Sequence, residues 1–342
     1  MSRFTATWMT AGLCATMAAA ALAASASAAT APGQVFAPNP VADLGIQTLT
    51  DQKDADFFSG DPFLSRAYHR VTLTNLDSSG TLTGDYAKVI SKTGKAAVNT
   101  GGGFIYTRDQ DQFEQTMGYH WITQAQRYIQ SLGFGSTLPA VNKRQQLLRI
   151  DQYGGDNSFY SDGTGKLTIT LGKGGVDDGE DAEVIVHEYG HSVQDNQVPG
   201  FGSSADSGAI GEAFGDYLAV TVSDAFAPTA DEACVADWDS VSYTATVPHC
   251  LRRVDGDKHY PEDLSVPREV HADGEIWSRA LWDIRGALGA RTADTIIIRA
   301  QFGFTPGISM PDAAAVTITT AGLYGKSAQK AVRGAFAARG LA

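Results

Sequence analysis

The segment VIVHEYGHSVQD, residues 184–195, constrains this chain more than any other feature. Its histidines, His187 and His191, are four residues apart, in a chain with only 7 histidines among 342 residues. On an α-helix this spacing places both imidazoles on one face, where they can bind adjacent positions of a tetrahedral Zn²⁺ ion. Glu188 lies at the edge of the same face, where a general base is needed. The alternative is a pair of structural histidines beside a surface acid.

A catalytic zinc site usually has three protein ligands and a water molecule in the fourth position. The downstream segment SGAIGEAFGDYLAVTVSD offers Glu212 as the third ligand, with Asp216 four residues later on the same helical face. Asp216 is predicted to accept the second N–H of a zinc-binding histidine. A Glu-x-x-x-Asp pair is also common on solvated helices, but small residues around this one favour close packing against another helix. They are Gly208, Ala209, Gly211, Ala213 and Gly215.

HEYGH followed by GEAFGD resembles the motifs of the glutamate-type zinc metalloproteases (gluzincins), the thermolysin and fungalysin families. The segment NSFYSDGTGKLTITLG is similar to the edge strand and loop of thermolysin-like enzymes. The segment EVHADGEIWSRALWDIRGAL is similar to the fungalysin segment that carries a transition-state histidine. The resemblance extends from about Phe113 to Ala342 and is fainter before it.

The resemblance assigns a role to each candidate residue. The implied zinc ligands are His187, His191 and Glu212. Glu188 matches the general base, and Asp216 matches the carboxylate behind a zinc-binding histidine. His271 matches the histidine that donates to the oxyanion, and Asn157 matches the edge-strand residue that bonds the substrate backbone. One catalytic Zn²⁺ ion is therefore the expected cofactor.

The implied fold is an α+β fold of two lobes, thermolysin-like, with the zinc helix between the lobes. The sequence pattern agrees, because alternating segments such as AYHRVTLTNL favour strands and turns from Val41 to Tyr106. One long helix is predicted where apolar residues recur at helical spacing after Phe113. Further helices are predicted near 181–196, 207–222, 273–288, 292–301, 312–323 and 327–339. We predict a β-rich lobe over residues 29–196, ending in the HEYGH helix, and a mainly α-helical lobe over residues 197–342.

Residues 1–28 have the organisation of a signal peptide, with Arg3, an apolar run and the cleavage pattern Ala26-Ser27-Ala28. The alternative is a membrane-spanning helix, which would be richer in leucine and followed by basic residues. The expected product is secreted or periplasmic, without a membrane anchor after cleavage. The formal net charge of -12 argues against nucleic acid or an anionic membrane as a partner. The sequence does not indicate an oligomeric state.

Cys234 and Cys250 are the cysteines that remain after cleavage. In an exported chain an even number of cysteines favours a disulfide, which would stabilise the fold by about 3 kcal/mol. The alternative is a Cys-His metal site that uses His249, although no C-x-x-C spacing accompanies it.

The segment GGVDDGEDAE is a candidate calcium site, because hard cations bind several carboxylates. The acids are Asp177, Asp178, Glu180, Asp181 and Glu183. The alternative is that they stabilise the N-terminus of the following helix.

Two features depart from the thermolysin pattern. The segment PGFGSSADSG, just before the third-ligand helix, lacks the tyrosine that assists the oxyanion there. The acid expected ahead of His271 is not evident either, because Asp263 and Glu269 both lie outside the thermolysin position.

The sequence therefore predicts a secreted zinc endopeptidase that hydrolyses protein or peptide substrates with metal-activated water and a glutamate general base. The first alternative is a zinc aminopeptidase, but the chain has no Gly-x-Met-Glu-Asn segment to capture a substrate amine. The second is a non-catalytic zinc-binding protein with an inherited site. That alternative predicts loss of Glu188 or of a ligand, and all of these residues are present.

Overall fold

The computed structural model describes residues 29–51, 64–162 and 167–342. The predicted signal peptide over residues 1–28 lies outside them. The described part has a β-rich N-terminal portion and a helical C-terminal portion, which confirms the predicted α+β fold. The boundary between the two lobes at residue 196 stays a prediction. None of the described helices is long and apolar enough to span a bilayer.

The first elements are an antiparallel pair of strands and a short helix between them. Strand β1 (Ala29–Val35) pairs with β2 (His69–Leu76). Helix α1 (Pro40–Leu44) falls where strands and turns were predicted. The helix forms because the Asn39 side chain accepts a hydrogen bond from the backbone N–H of Ala42 and because proline suits a first helical turn.

A four-stranded sheet provides one wall of the cleft. Its strands are β3 (Ala87–Val89), β4 (Gln146–Tyr153), β5 (Phe159–Ser161) and β6 (Thr168–Gly172). Their order is β3-β4-β6-β5, with β3, β4 and β6 parallel and β5 antiparallel to β6. Strand β5 therefore has a partner on one side only among the described strands.

Helix α2 (Gln112–Ser131) packs between this sheet and the helical portion. Its predicted apolar residues Phe113, Met117 and Trp121 are buried. Gly118 lies against the sheet, where an added Cβ would come 2.2 Å from Leu148 Cδ2. The glycine therefore allows the helix to lie directly on β4.

Helix α3 (Ala182–Gln197) lies between the two portions, in contact with α2 on one side and with α4 (Ala205–Phe226) on the other. The later helices follow the predicted segments within a few residues. They are α5 (Val270–Leu288), α6 (Ala290–Ala300), α7 (Met310–Ala321) and α8 (Lys326–Ala338).

The stretch between α4 and α5 is mostly irregular. It contains the paired strands β7 (Cys234–Val235) and β8 (Arg252–Arg253). The predicted disulfide joins Cys234 to Cys250 and closes this stretch on itself. The alternative of a Cys-His metal site is wrong, because both sulfurs are bonded to each other and His249 Nε2 is 2.7 Å from the backbone oxygen of Gln47.

Candidate functional site

The N-terminal half of α3 is anchored by a cap and by apolar burial. The Asp181 side chain accepts a hydrogen bond from the backbone N–H of Glu183, and Ile185 and Val186 are fully buried. The next turns present His187 and His191 toward α4, with ring centroids 4.9 Å apart. The same-face geometry expected from the i, i+4 spacing is present.

Two glycines bring α3 and α4 into close contact. A Cβ added to Gly190 would lie 2.9 Å from the Cα of Gly215, and a Cβ on Gly215 would lie 2.7 Å from His187 Nδ1. Real Cβ atoms do not approach other atoms this closely. Glycine at both positions therefore allows the helix spacing at which Glu212 reaches the histidines.

The three predicted ligands converge on one point. Glu212 Oε2 is 3.1 Å from His187 Nε2, and Glu212 Oε1 is 3.6 Å from His191 Nε2. A carboxylate oxygen of Glu188 lies within 4.8 Å of the nitrogens of both histidines. Glu188 is buried, and its Oε2 atom has no hydrogen-bond partner among the described residues.

Asp216 holds the ring of His187. Its Oδ1 atom is 2.8 Å from His187 Nδ1, which favours the tautomer with a proton on Nδ1 and a free lone pair on Nε2. Burial opposes a charged imidazole, but hydrogen bonds to Asp216 and Glu212 raise the pKa of His187 to about 10. The carboxylates therefore favour positive charge at this point.

Arg252, on β8, was missed in the sequence. Its Nε and Nη2 atoms donate to Asp216 at 2.7 Å each, in a two-point contact. Although burial opposes ionisation, Arg252 and His187 hold the pKa of Asp216 well below its usual range. No local pattern could have revealed this contact, because the arginine arrives from an irregular stretch.

His271 lies in the first turn of helix α5 and faces the same point. Its Nε2 atom is 3.3 Å from Glu212 Oε2, and its side chain is 49% exposed. Its Nδ1 atom is 2.6 Å from Glu269 Oε1, and the Glu269 carboxylate also caps α5 by accepting from the backbone N–H of Ala272. Glu269 is therefore the acid beside His271, although it lies outside the position at which the thermolysin pattern has one.

The site opens into a cleft of about 520 Å³, and Asn157 lies exposed on the wall that continues into β5. Two tyrosines also line this cleft. The hydroxyl of Tyr160 donates to Asp195 at 2.8 Å, and that of Tyr243 donates to the backbone oxygen of Asp156 at 2.7 Å. Both hydroxyls are thus engaged away from the histidines.

The five acids of GGVDDGEDAE do not converge. Asp181 caps α3, Glu180 accepts from Arg108, and Glu183 accepts from the backbone N–H of Ala236. Of the five, only Asp178 belongs to a group of three potential metal ligands within the described residues. The helix-terminus interpretation fits Asp181, and calcium binding stays a prediction.

The donor set suits zinc. Two imidazole nitrogens and one carboxylate oxygen are the ligand types of catalytic Zn²⁺ sites. A model of the fungalysin metallopeptidase family (M36) matches residues 93–295, a span that includes the residues of this site. None of the curated proteins matches the chain. Because the family match covers more than half of the 342 residues, the chain belongs to the fungalysin metallopeptidases, a family of thermolysin-like zinc proteases.

Proposed function

We propose that this chain is an exported zinc endopeptidase. One observation carries the proposal: three donor groups from two helices meet beside the carboxylate of Glu188, and all four side chains line one cleft. Export is supported by the Cys234–Cys250 disulfide, since such bonds persist in oxidising compartments.

His187, His191 and Glu212 would hold the ion. When bound, zinc supplies Lewis-acid polarisation of the scissile carbonyl and lowers the pKa of a water molecule. Asp216 orients His187 for this task, and Arg252 keeps Asp216 ionised. The positive charge of the ion also suits the carboxylates that surround the histidines.

Glu188 is the proposed general base. Its carboxylate lies beside the two histidines and lines the cleft, where it would accept a proton from water and then deliver it to the leaving amine.

His271 is the proposed oxyanion donor. The Glu269 carboxylate fixes the ring through its contact with Nδ1 and leaves Nε2 directed at the site, where an N–H would donate to a developing oxyanion. A single donor of this kind is worth about 3 kcal/mol in the transition state. With both cleft tyrosine hydroxyls engaged elsewhere, His271 carries this role among the described side chains.

An extended substrate would add to the open edge of β5, with Asn157 bonding its backbone. Backbone pairing of this kind accepts many sequences and chain interiors, which favours an endopeptidase over an aminopeptidase. Protein and peptide substrates follow from the family.

The test uses the zinc-loaded full chain, a quenched fluorescent peptide with both ends blocked, and elemental analysis. Glu188→Gln should retain zinc and lose hydrolysis by at least about 100-fold, whereas His187→Ala should lose both. Hydrolysis at the wild-type rate by Glu188→Gln would remove Glu188 as the base. Wild-type protein that holds zinc but cleaves nothing would favour the non-catalytic alternative, and cleavage of only unblocked peptides would favour an aminopeptidase.

A further inference from the structure

An acidic recess lies in the cleft beside the proposed base. Asp178 begins a short 3₁₀ helix just before α3, Asp178–Glu180. Asp239 begins another, Asp239–Ser242, in the stretch between β7 and β8. Both line the cleft. Together with Asp156 they place carboxylate oxygens within 4.8 Å of one another.

These carboxylates have unused acceptor atoms. Asp178 and Asp239 are 2% and 3% exposed, and within the described part of the chain the Oδ1 atom of each is buried without a hydrogen-bond partner. Asp178 accepts from the hydroxyl of Ser158 at its other oxygen. Among the described residues no basic side chain forms an ion pair with either acid, and the nearby guanidinium of Arg252 is held by Asp216.

The recess favours a positive charge. Burial, together with the carboxylates of Asp156 and Glu188, raises the pKa of Asp178 to about 7. Burial and the neighbouring Asp178 raise the pKa of Asp239 well above its usual range. A cation that entered the recess would reduce the free-energy cost of burying two negative charges and would give the unpartnered oxygens a partner.

The same cleft has apolar walls. Val184 precedes Glu188 by one helical turn, and Val235 and Leu251 are joined by a backbone hydrogen bond of 2.9 Å. Apolar walls with acids among them suit a side chain that has an aliphatic stem and a cationic end.

We infer that Asp178 and Asp239 form a subsite for a lysine or arginine side chain of the substrate. The inference rests on the proposed function and names its substrate class. Asp178, Asp239 and Glu188 line the same cleft, and the Glu188 carboxylate contributes to the raised pKa of Asp178. Glu188 is the proposed donor of a proton to the leaving amine, which is the amine of the residue after the scissile bond. The recognised residue is therefore the one that follows the scissile bond, P1′.

The experiment compares two end-blocked peptides that differ only at P1′, where one has lysine and the other norleucine. Norleucine keeps the four-carbon stem and lacks the ammonium group. Wild-type protein should cleave the lysine peptide with a kcat/KM at least about tenfold higher, at a bond located by mass spectrometry. Asp239→Asn and Asp178→Asn should each bring this ratio close to one. Asp162→Asn is the matched control, because Asp162 is an exposed acid on the same cleft, and it should change the ratio by less than about twofold.

Binding to the zinc-loaded Glu188→Gln variant supplies a readout that does not depend on turnover. The lysine peptide should bind about tenfold more tightly than the norleucine peptide, and Asp239→Asn in that background should abolish the difference.

Equal binding and equal cleavage of the two peptides would overturn the subsite. An equal loss of the lysine preference in Asp162→Asn would overturn the subsite too, because the long-range electrostatic field of the cleft would then explain the preference for lysine over norleucine. If the preference is absent and Ca²⁺ raises the Tm of wild type but not of Asp239→Asn, the recess binds a metal ion and not a side chain. Preferential binding without any cleavage would retain the subsite and reject the proposed function.

Discussion

Gly215→Ala tests whether the close approach of α3 and α4 creates the metal site. The added methyl carbon would lie 2.7 Å from Nδ1 and 2.8 Å from Cε1 of His187, where ordinary contacts begin at 3.4 Å. The imidazole must therefore retreat by several tenths of an ångström. It cannot do so freely, because its Nδ1 atom is bonded to Asp216, which is fixed in turn by Arg252.

We expect Gly215→Ala to weaken zinc binding. Functional constellations tolerate displacements of only about 0.5 Å. Disturbing the groups behind a metal ligand typically weakens metal affinity by about 10–100-fold, or about 1.4–2.7 kcal/mol. Overall stability is less informative, because alanine gains about 1 kcal/mol of helix propensity while overpacking costs about 1–3 kcal/mol.

The assay is competition for zinc against a chromophoric chelator, with Gly211→Ala as the matched control. Gly211 lies on the same helix, but a Cβ there meets Gln194 Oε1 at 3.5 Å and His191 Nδ1 at 3.8 Å, which are ordinary contacts. Gly211→Ala should bind zinc within about threefold of wild type. If Gly215→Ala binds zinc as tightly as wild type, the helix spacing does not limit the site.

Glu269→Gln keeps an acceptor for the N-terminus of helix α5 but removes the negative charge facing His271. The kcat should therefore fall about tenfold while the zinc content stays unchanged, and a change in KM alone would contradict the positioning role of Glu269. Replacing both Cys234 and Cys250 with serine should lower the free energy of unfolding by about 3 kcal/mol, and an unchanged denaturant midpoint would show that the bridge adds no stability. Burial and the neighbouring Asp181 raise the pKa of Asp237 to about 8. Between about pH 4 and pH 8 the folded state therefore holds a proton that the unfolded state has released, so the free energy of unfolding falls as the pH rises through this range. Asp237→Asn should therefore raise Tm by a few degrees more at about pH 8 than at about pH 5, and a gain that is independent of pH would reject this assignment.

The regular parts of the fold were predictable from periodicity. The apolar spacing of Phe113 and Trp121 indicated α2, because burial on the sheet needs a continuous apolar face. The short helix α1 was not predicted, since five residues carry no periodic signal and depend on the cap from Asn39.

Some residues of the site could likewise be predicted from sequence spacing, and others could not. His187 and His191 share a helix, so their geometry follows from sequence spacing, and Glu212 could be proposed from the next helix. Arg252 and Asp239 reach the cleft from an irregular stretch whose path depends on tertiary contacts. Their positions could not be predicted from residues close to them in the sequence.

The disulfide stretch is connected to the metal site through a short series of contacts. Cys250 is two residues from Arg252, which holds Asp216 against His187. If forming the sulfur bridge tightens metal affinity, thermodynamic reciprocity requires that an occupied site make the bridge harder to reduce by the same factor. Redox state and metal loading would then reinforce each other, so that a chain folding in an oxidising compartment acquires its ion more readily than the same chain in a thiol-rich one.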